Sequence, residues 1–230
     1  MITELQRILS KRGMASRKEA AKLILEGKVF VNGQVCLDPK RGFDQRVLIE
    51  ISGQKVNISQ KHYLMLHKPK GLVVTRSDEK GRPTVYSCLE NWQGPLLQAV
   101  GRLDLASEGL LLFTNDHLWA DQLMDPKKHI QKIYHVQVTP IPTDESLLKL
   151  SLGILLEGIK TLPSQFEMIR MGDKNAWIKV QLKEGRNRQI RKMFESEKIE
   201  VLRLVRVQIG NLKLEDLAKG EWREIAITDV

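Results

Sequence analysis

The chain has 230 residues, 42% hydrophobic, 28% charged and 5% aromatic, long enough to bury one medium domain and a small one. Its purely apolar runs are only a few residues long, which excludes a membrane-spanning helix. The formal net charge of +9 favours a polyanionic partner, although a modest basic excess also serves plain solubility.

More than half of that excess sits in the first quarter: residues 1–59 hold 11 Lys/Arg against 6 Asp/Glu, and residues 60–230 hold 26 against 22. No charged-then-apolar leader opens the chain, so it is expected to stay where it is made. Cys36 and Cys88 are too few and too far apart for a disulfide framework or a Cys-based metal site, which points to a reduced, cytoplasmic setting. The five histidines lack zinc-type spacing, and no metal is expected.

Residues 3–35 read as two short helices and a hairpin. Thr3-Glu4-Leu5-Gln6 fits a capping box ahead of Leu5, Ile8 and Leu9 at helical spacing, and Gly13 ends that helix. Ser16-Arg17-Lys18-Glu19 is a second capping box, with Ala20, Leu23 and Ile24 as its apolar face and Gly27 as its stop. Val29-Phe30-Val31, Asn32-Gly33 and Gln34-Val35 form strand, tight turn and strand. Lys11, Arg12, Arg17, Lys18, Lys22 and Lys28 recur at the polar positions, a pattern that also suits a merely solvated face. Leu5 to Val35 resembles the RNA-binding domain named after ribosomal protein S4, through Ser16–Ala20 and Val29–Gly33. The resemblance implies a basic face that grips structured RNA through phosphates and shape, with Arg17 and Lys18 as first contacts. Val47–Ile51 is strand-like, and a domain boundary is expected near Ser59, giving domains 1–59 and 60–230.

Tyr63–Leu66 reads as a strand that delivers His67-Lys68-Pro69-Lys70-Gly71 into a turn, with a second strand at Leu72–Thr75. In Gly101-Arg102-Leu103-Asp104 a carboxylate stands two residues after an arginine in an irregular turn, and Gly109 releases the chain into the apolar run Leu110–Phe113, a buried strand. An acid fixed on a loop between rigid elements is a common catalytic arrangement; a turn aspartate bonding its own backbone is the plain alternative. Thr143–Leu155 reads as a helix. Lys132–Val138 alternates as a half-buried strand with Tyr134, Val136 and Val138 on one face. Glu184–Phe194 packs Arg186, Arg188, Arg191 and Lys192 into seven residues, too many cations for a core, while Ile190, Met193 and Phe194 lie at helical spacing.

Taken together, Gly101–Asp116, Lys132-Ile133-Tyr134, Glu184–Phe194 and the closing segments Leu202–Arg206 and Gly220–Ile225 resemble, in order, the pseudouridine synthases of the RsuA-type branch that modifies ribosomal RNA. Ser107 stands where many relatives carry threonine, and His67 where many carry asparagine. The resemblance implies an α+β fold: a small N-terminal S4-like domain, then a catalytic domain with a mixed, largely antiparallel sheet flanked by helices. It implies Asp104 as the catalytic acid, Tyr134 lining the site against the target base, and Arg191 pairing with the acid. Lys68 and Pro69 would support the active-site loop, with a phosphate contact for Lys68 as the lesser reading; Arg102, Arg186 and Arg188 would meet RNA, and Arg203 and Arg206 would complete the fold with RNA contacts of their own.

The implied reaction isomerises a uridine: C1′–N1 breaks, the base turns, and C1′–C5 forms. It needs no cofactor, in keeping with the absence of any nucleotide-binding Gly loop, and the base must leave its stack to be reached. Whether Asp104 attacks C1′, attacks the base or removes a ribose proton stays open. Ribosomal RNA or an assembling ribosomal particle is the expected partner, met by a monomer without a membrane. A non-catalytic RNA-binding assembly factor is the main rival, and the intact set Asp104, Tyr134 and Arg191 argues against it. A methyltransferase would need a methyl-donor site, and none is visible.

Overall fold

A computed structural model describes residues 2–55 and 60–227, so the boundary expected near Ser59 lies outside the described residues. The chain is α+β and divides into two compact units. One comprises residues 1–63 with Trp92–Gln98 and Thr114–Trp119; the other comprises Leu64–Asn91, Ala99–Phe113 and residues 120–230.

In the first unit, helix α1 (Leu5–Lys11) and helix α2 (Arg17–Leu25) pack through Leu5, Ile8, Leu9, Ala20 and Ile24, all at most 1% exposed. The Ser16 box forms as expected: Ser16 Oγ accepts from Glu19 N and the Glu19 carboxylate accepts from Ser16 N. The Thr3 box does not form. Residues Ile2–Glu4 pair as a strand with Gly42–Asp44, and Thr3 Oγ1 accepts from Gln45 instead. Sheet pairing takes the backbone that a cap would need. The hairpin Val29–Val31/Gln34–Val35 turns through Asn32 and Gly33, both at positive φ, and extends through Ile49–Ile51 and Gln54–Lys55 into a four-stranded sheet. Arg12, expected on the polar face, points inward and donates to the carbonyls of Gln45 and Val47.

The second unit is built on one sheet. Its strands are β1 (Tyr63–Lys68), β2 (Glu108–Thr114), β3 (Lys132–Thr139), β4 (Gln165–Met171), β5 (Ala176–Leu182), β6 (Glu200–Ile209) and β7 (Trp222–Glu224), in the order β4-β5-β3-β6-β2-β1-β7. Registered pairs are antiparallel except β6 with β2, where Val205 faces Glu108 and Arg206 faces Gly109. Tyr134, Val136 and Val138 of β3 are buried on one face, as their alternation predicts. Helix α3 (His117–Met124) follows β2, and helices α4 (Asp144–Ser151) and α5 (Gln189–Ser196) bury Leu147, Leu150, Ile190, Met193 and Phe194 in the same core as β3. Two expectations fail here. Leu72–Thr75 forms no strand, only a single bridge from Val73 to Thr84. The helix expected over 143–155 stops at Ser151, and Leu155–Leu156 enters a small hairpin with Ile159–Lys160.

Gly109 is where this sheet allows only one residue. Its φ is +108°, and a Cβ there would stand 2.2 Å from the Arg206 carbonyl oxygen across the parallel pair. The glycine lets β2 approach β6 and so starts the strand directly behind the Asp104 loop.

Candidate active site

The loop 101–107 joins strand Gln98–Val100 to β2, and its turn begins at Gly101 with φ +74°. Its carbonyls are held one after another. Lys68 Nζ donates to Ser107 O at 2.8 Å, to Pro69 O at 3.0 Å and to Asp104 O at 3.3 Å. Gly71 N donates to Leu105 O at 2.8 Å, and Arg191 Nη2 donates to Ala106 O at 3.3 Å. Charged donors make such bonds stronger than neutral ones. Lys68 is fully buried, which answers its two readings: it supports the loop and has no access to a phosphate. Burial pushes its pKa down to about 8, with Asp104, Cys88 and Glu108 pulling the other way.

The carboxylate of Asp104 is left apart from this scaffold. It is half-buried, and among the described residues it accepts no hydrogen bond and joins no ion pair. Behind it, Glu108 is closed off by Arg203 at 3.1 Å and by Lys219. Burial raises the Glu108 carboxyl, and these two cations outweigh that effect and hold it below the usual range.

Asp104 opens into a cleft of about 340 Å³ lined by Tyr134, Lys132, Leu204, Arg206 and the 183–190 segment, a size suited to a single small guest. Tyr134 is 8% exposed and faces Arg206 across β3 and β6. Arg206 is 5% exposed; its Nε donates to Leu110 O at 2.8 Å, and its Nη2 is buried without a partner. Lys132 donates to Ile130 O.

The expected site residues divide. Asp104, Tyr134, Arg102, Arg186 and Arg188 line one cleft. Arg102 and Arg188 are exposed, and Arg188 adopts a left-handed φ of +50° at the start of α5. Arg186 is tied down: its guanidinium pairs with Glu184 and donates to the carbonyls of Ile159 and Lys160. Arg191 makes no ion pair with Asp104. It donates to Val201 O at 2.8 Å and to the Ala106 carbonyl, so it holds the loop and reaches the acid only through space. Arg17 and Lys18 lie exposed on the first turn of α2 in the other unit. Arg203, expected at RNA, pairs with Glu108 and lies over Trp177.

Sequence reasoning missed Lys132 as a cleft residue and the interior position of Arg206. The available signal was period two: Arg206 shares a face with Leu204, and Lys132 with Tyr134.

Comparisons with known proteins agree with this architecture. A family model described as RNA pseudouridylate synthase matches residues 62–196, and an S4 domain model matches residues 5–42. The ribosomal large subunit pseudouridine synthase B of Bacillus subtilis (strain 168) is 40% identical over 98% of this chain and 93% of its own length. An uncharacterized RNA pseudouridine synthase of Rickettsia felis (strain ATCC VR-1525 / URRWXCal2) is 39% identical over 96% of each. Among solved structures, one titled a crystal structure of pseudouridylate synthase superposes with a TM-score of 0.70 at 29% identity, over 98% of this chain and 97% of that one.

Proposed function

The chain belongs to the RNA pseudouridylate synthase family, and from that premise we propose that it converts a specific uridine of large-subunit ribosomal RNA to pseudouridine, with Asp104 as the catalytic carboxylate. The relatives' printed role supports the substrate class. The observation that carries the role of Asp104 is the contrast at its loop: the backbone carbonyls around it are taken by Lys68, Gly71 and Arg191, while its carboxylate has no partner. A merely structural turn aspartate spends its carboxylate on nearby backbone N–H groups; this one does not.

In this reading the target nucleotide leaves its stack, at a cost of a few kcal/mol, and the base enters the cleft against Tyr134. Stacking on an aromatic ring returns about 1–3 kcal/mol. Exposed Arg102 and Arg188 meet the flanking phosphates, and Arg191 keeps the loop in place. Residues 1–59 serve as an S4-type docking domain, with Arg17 and Lys18 on phosphates, and residues 60–230 as the catalytic domain. The protein acts as a monomer without a cofactor, in the cytoplasm where ribosomal RNA is made.

The test follows from the chemistry, because forming C1′–C5 releases the hydrogen on C5. Ribosomal RNA made with uridine tritiated at C5 should release tritium to water with the wild type, and at least 1,000-fold more slowly with Asp104→Asn, about 4 kcal/mol of lost transition-state stabilisation. Equal release by the two proteins would remove Asp104 from the reaction; no release by either would leave RNA binding as the function.

A further inference from the structure

Of the cations that line the cleft with Tyr134, Arg206 and Lys132 are the two that are not exposed and have no anion of their own. Arg206 is buried within β6, and moving a guanidinium out of water is costly unless a carboxylate or several acceptors meet it. Here only Nε has an acceptor, the Leu110 carbonyl, and Nη2 lies buried and unpartnered. Lys132, two residues before Tyr134 on the same face of β3, spends Nζ on one carbonyl. Among the described residues neither cation has a carboxylate within ion-pair distance. Burial, and then repulsion from Arg206, lower the pKa of Lys132, so the two charges sense each other. The side chain facing Arg206 across the sheet is Tyr134 itself, and directly opposed residues have neighbouring side chains. Any ring stacked on Tyr134 would therefore lie beside Arg206.

The reaction brings the missing anion. Whether Asp104 bonds to C1′ or takes the C2′ proton, the C1′–N1 bond breaks with its electron pair passing to the base. The detached uracil then carries one negative charge, spread from N1 onto its two carbonyl oxygens. After the base turns, C5 bonds to C1′ as the Asp104–C1′ bond breaks, or as Asp104 returns its proton to C2′; C5 then loses its proton and N1 gains one, so product and reactant have the same composition. Resting on the isomerase reading above, we propose that Arg206, assisted by Lys132, is a further catalytic residue: it binds a carbonyl oxygen of the flipped uracil and stabilises the charge on the base while it is free of the ribose. Donors fixed in place before charge develops are the strongest form of such stabilisation. A backbone phosphate is the poorer occupant, because Arg206 is almost wholly enclosed while Arg102 and Arg188 stand open at the surface.

The test uses the full-length protein and the ribosomal RNA fragment it modifies, with either uridine or 5-fluorouridine at the target position. Loss of the target nucleoside is followed by chromatography under single turnover. Fluorine at C5 makes the departing base a weaker base, so it needs less help from the protein. With uridine, Arg206→Gln should slow bond cleavage about 100-fold or more while RNA affinity changes less than threefold; Arg206→Lys should recover part of the rate. With 5-fluorouridine the deficit of Arg206→Gln should shrink at least tenfold. Lys132→Met carries the same comparison with a smaller deficit if Arg206→Gln does not fold. An equal deficit with both bases, or a loss of RNA affinity with an unchanged cleavage rate, would overturn the proposal. Wild-type protein that consumes neither substrate would instead sink the isomerase reading, which Asp104→Asn tests separately.

Discussion

Asp104 and Lys68 divide the work of the loop: one presents a free carboxylate, and the other holds the backbone that carries it. Lys68→Met removes three hydrogen bonds to carbonyls, two of them from the loop itself. It should lower stability by about 3 kcal/mol or more and cut the turnover rate, both measurable by chemical denaturation and single-turnover kinetics. The pH dependence has a definite sign. The folded pKa of Lys68, about 8, lies below the unfolded lysine value, so the folded state binds fewer protons between about pH 8 and pH 10.4. Across that window the wild type should therefore gain stability relative to Lys68→Met, on the order of 1–2 kcal/mol between pH 7.5 and 9.5. Denaturation curves at the two pH values check this; a gap that narrows as pH rises would contradict the burial of Lys68 as its cause. Sequence made Asp104 legible through the Gly-Arg-Leu-Asp turn, and Lys68 through its Lys-Pro neighbourhood. It could not show that Arg191 would reach Val201 and Ala106 before Asp104, because partner choice for a long side chain depends on backbone distances set by the tertiary fold.

Among the elements, β3 and α5 were readable because burial imposes a period of 2 on the one and a helical repeat on the other. Strand β4 was not. It is an edge strand of the sheet, with Glu167, Ile169, Arg170 and Met171 all exposed, so no clean alternation marks it. Thr3 failed as a cap for a related reason: local capping chemistry lost to a strand pairing with residues forty positions away. Two substitutions test elements directly. Gly109→Ala would drive a methyl group into the backbone of Arg206 at a φ that L-residues avoid. It should destabilise the protein by about 3 kcal/mol or more in thermal or chemical denaturation, together with loss of activity as the Asp104 loop shifts. Ser16→Ala removes a formed cap from α2 and should cost about 1 kcal/mol, with catalysis on a short RNA unchanged.

At the scale of the whole chain, the +5 charge of residues 1–59 and the +4 of residues 60–230 predict an affinity for RNA that falls as salt rises. Replacing Arg17 and Lys18 together with glutamine should weaken binding to ribosomal RNA at moderate salt and lower the slope of log K against log salt by about 1–2, the release of one or two phosphate contacts. Filter binding across a salt series reads both. An unchanged slope would move the RNA contact away from α2.

The most direct measurement is a map of pseudouridines in ribosomal RNA, read as reverse-transcription stops at a chemical adduct. It compares cells lacking this protein with cells given back the wild type or Asp104→Ala. The account predicts that a stop in large-subunit RNA disappears without the protein, returns with the wild type and stays absent with Asp104→Ala. A stop restored equally well by Asp104→Ala, or an unaltered map in cells lacking the protein, would contradict it.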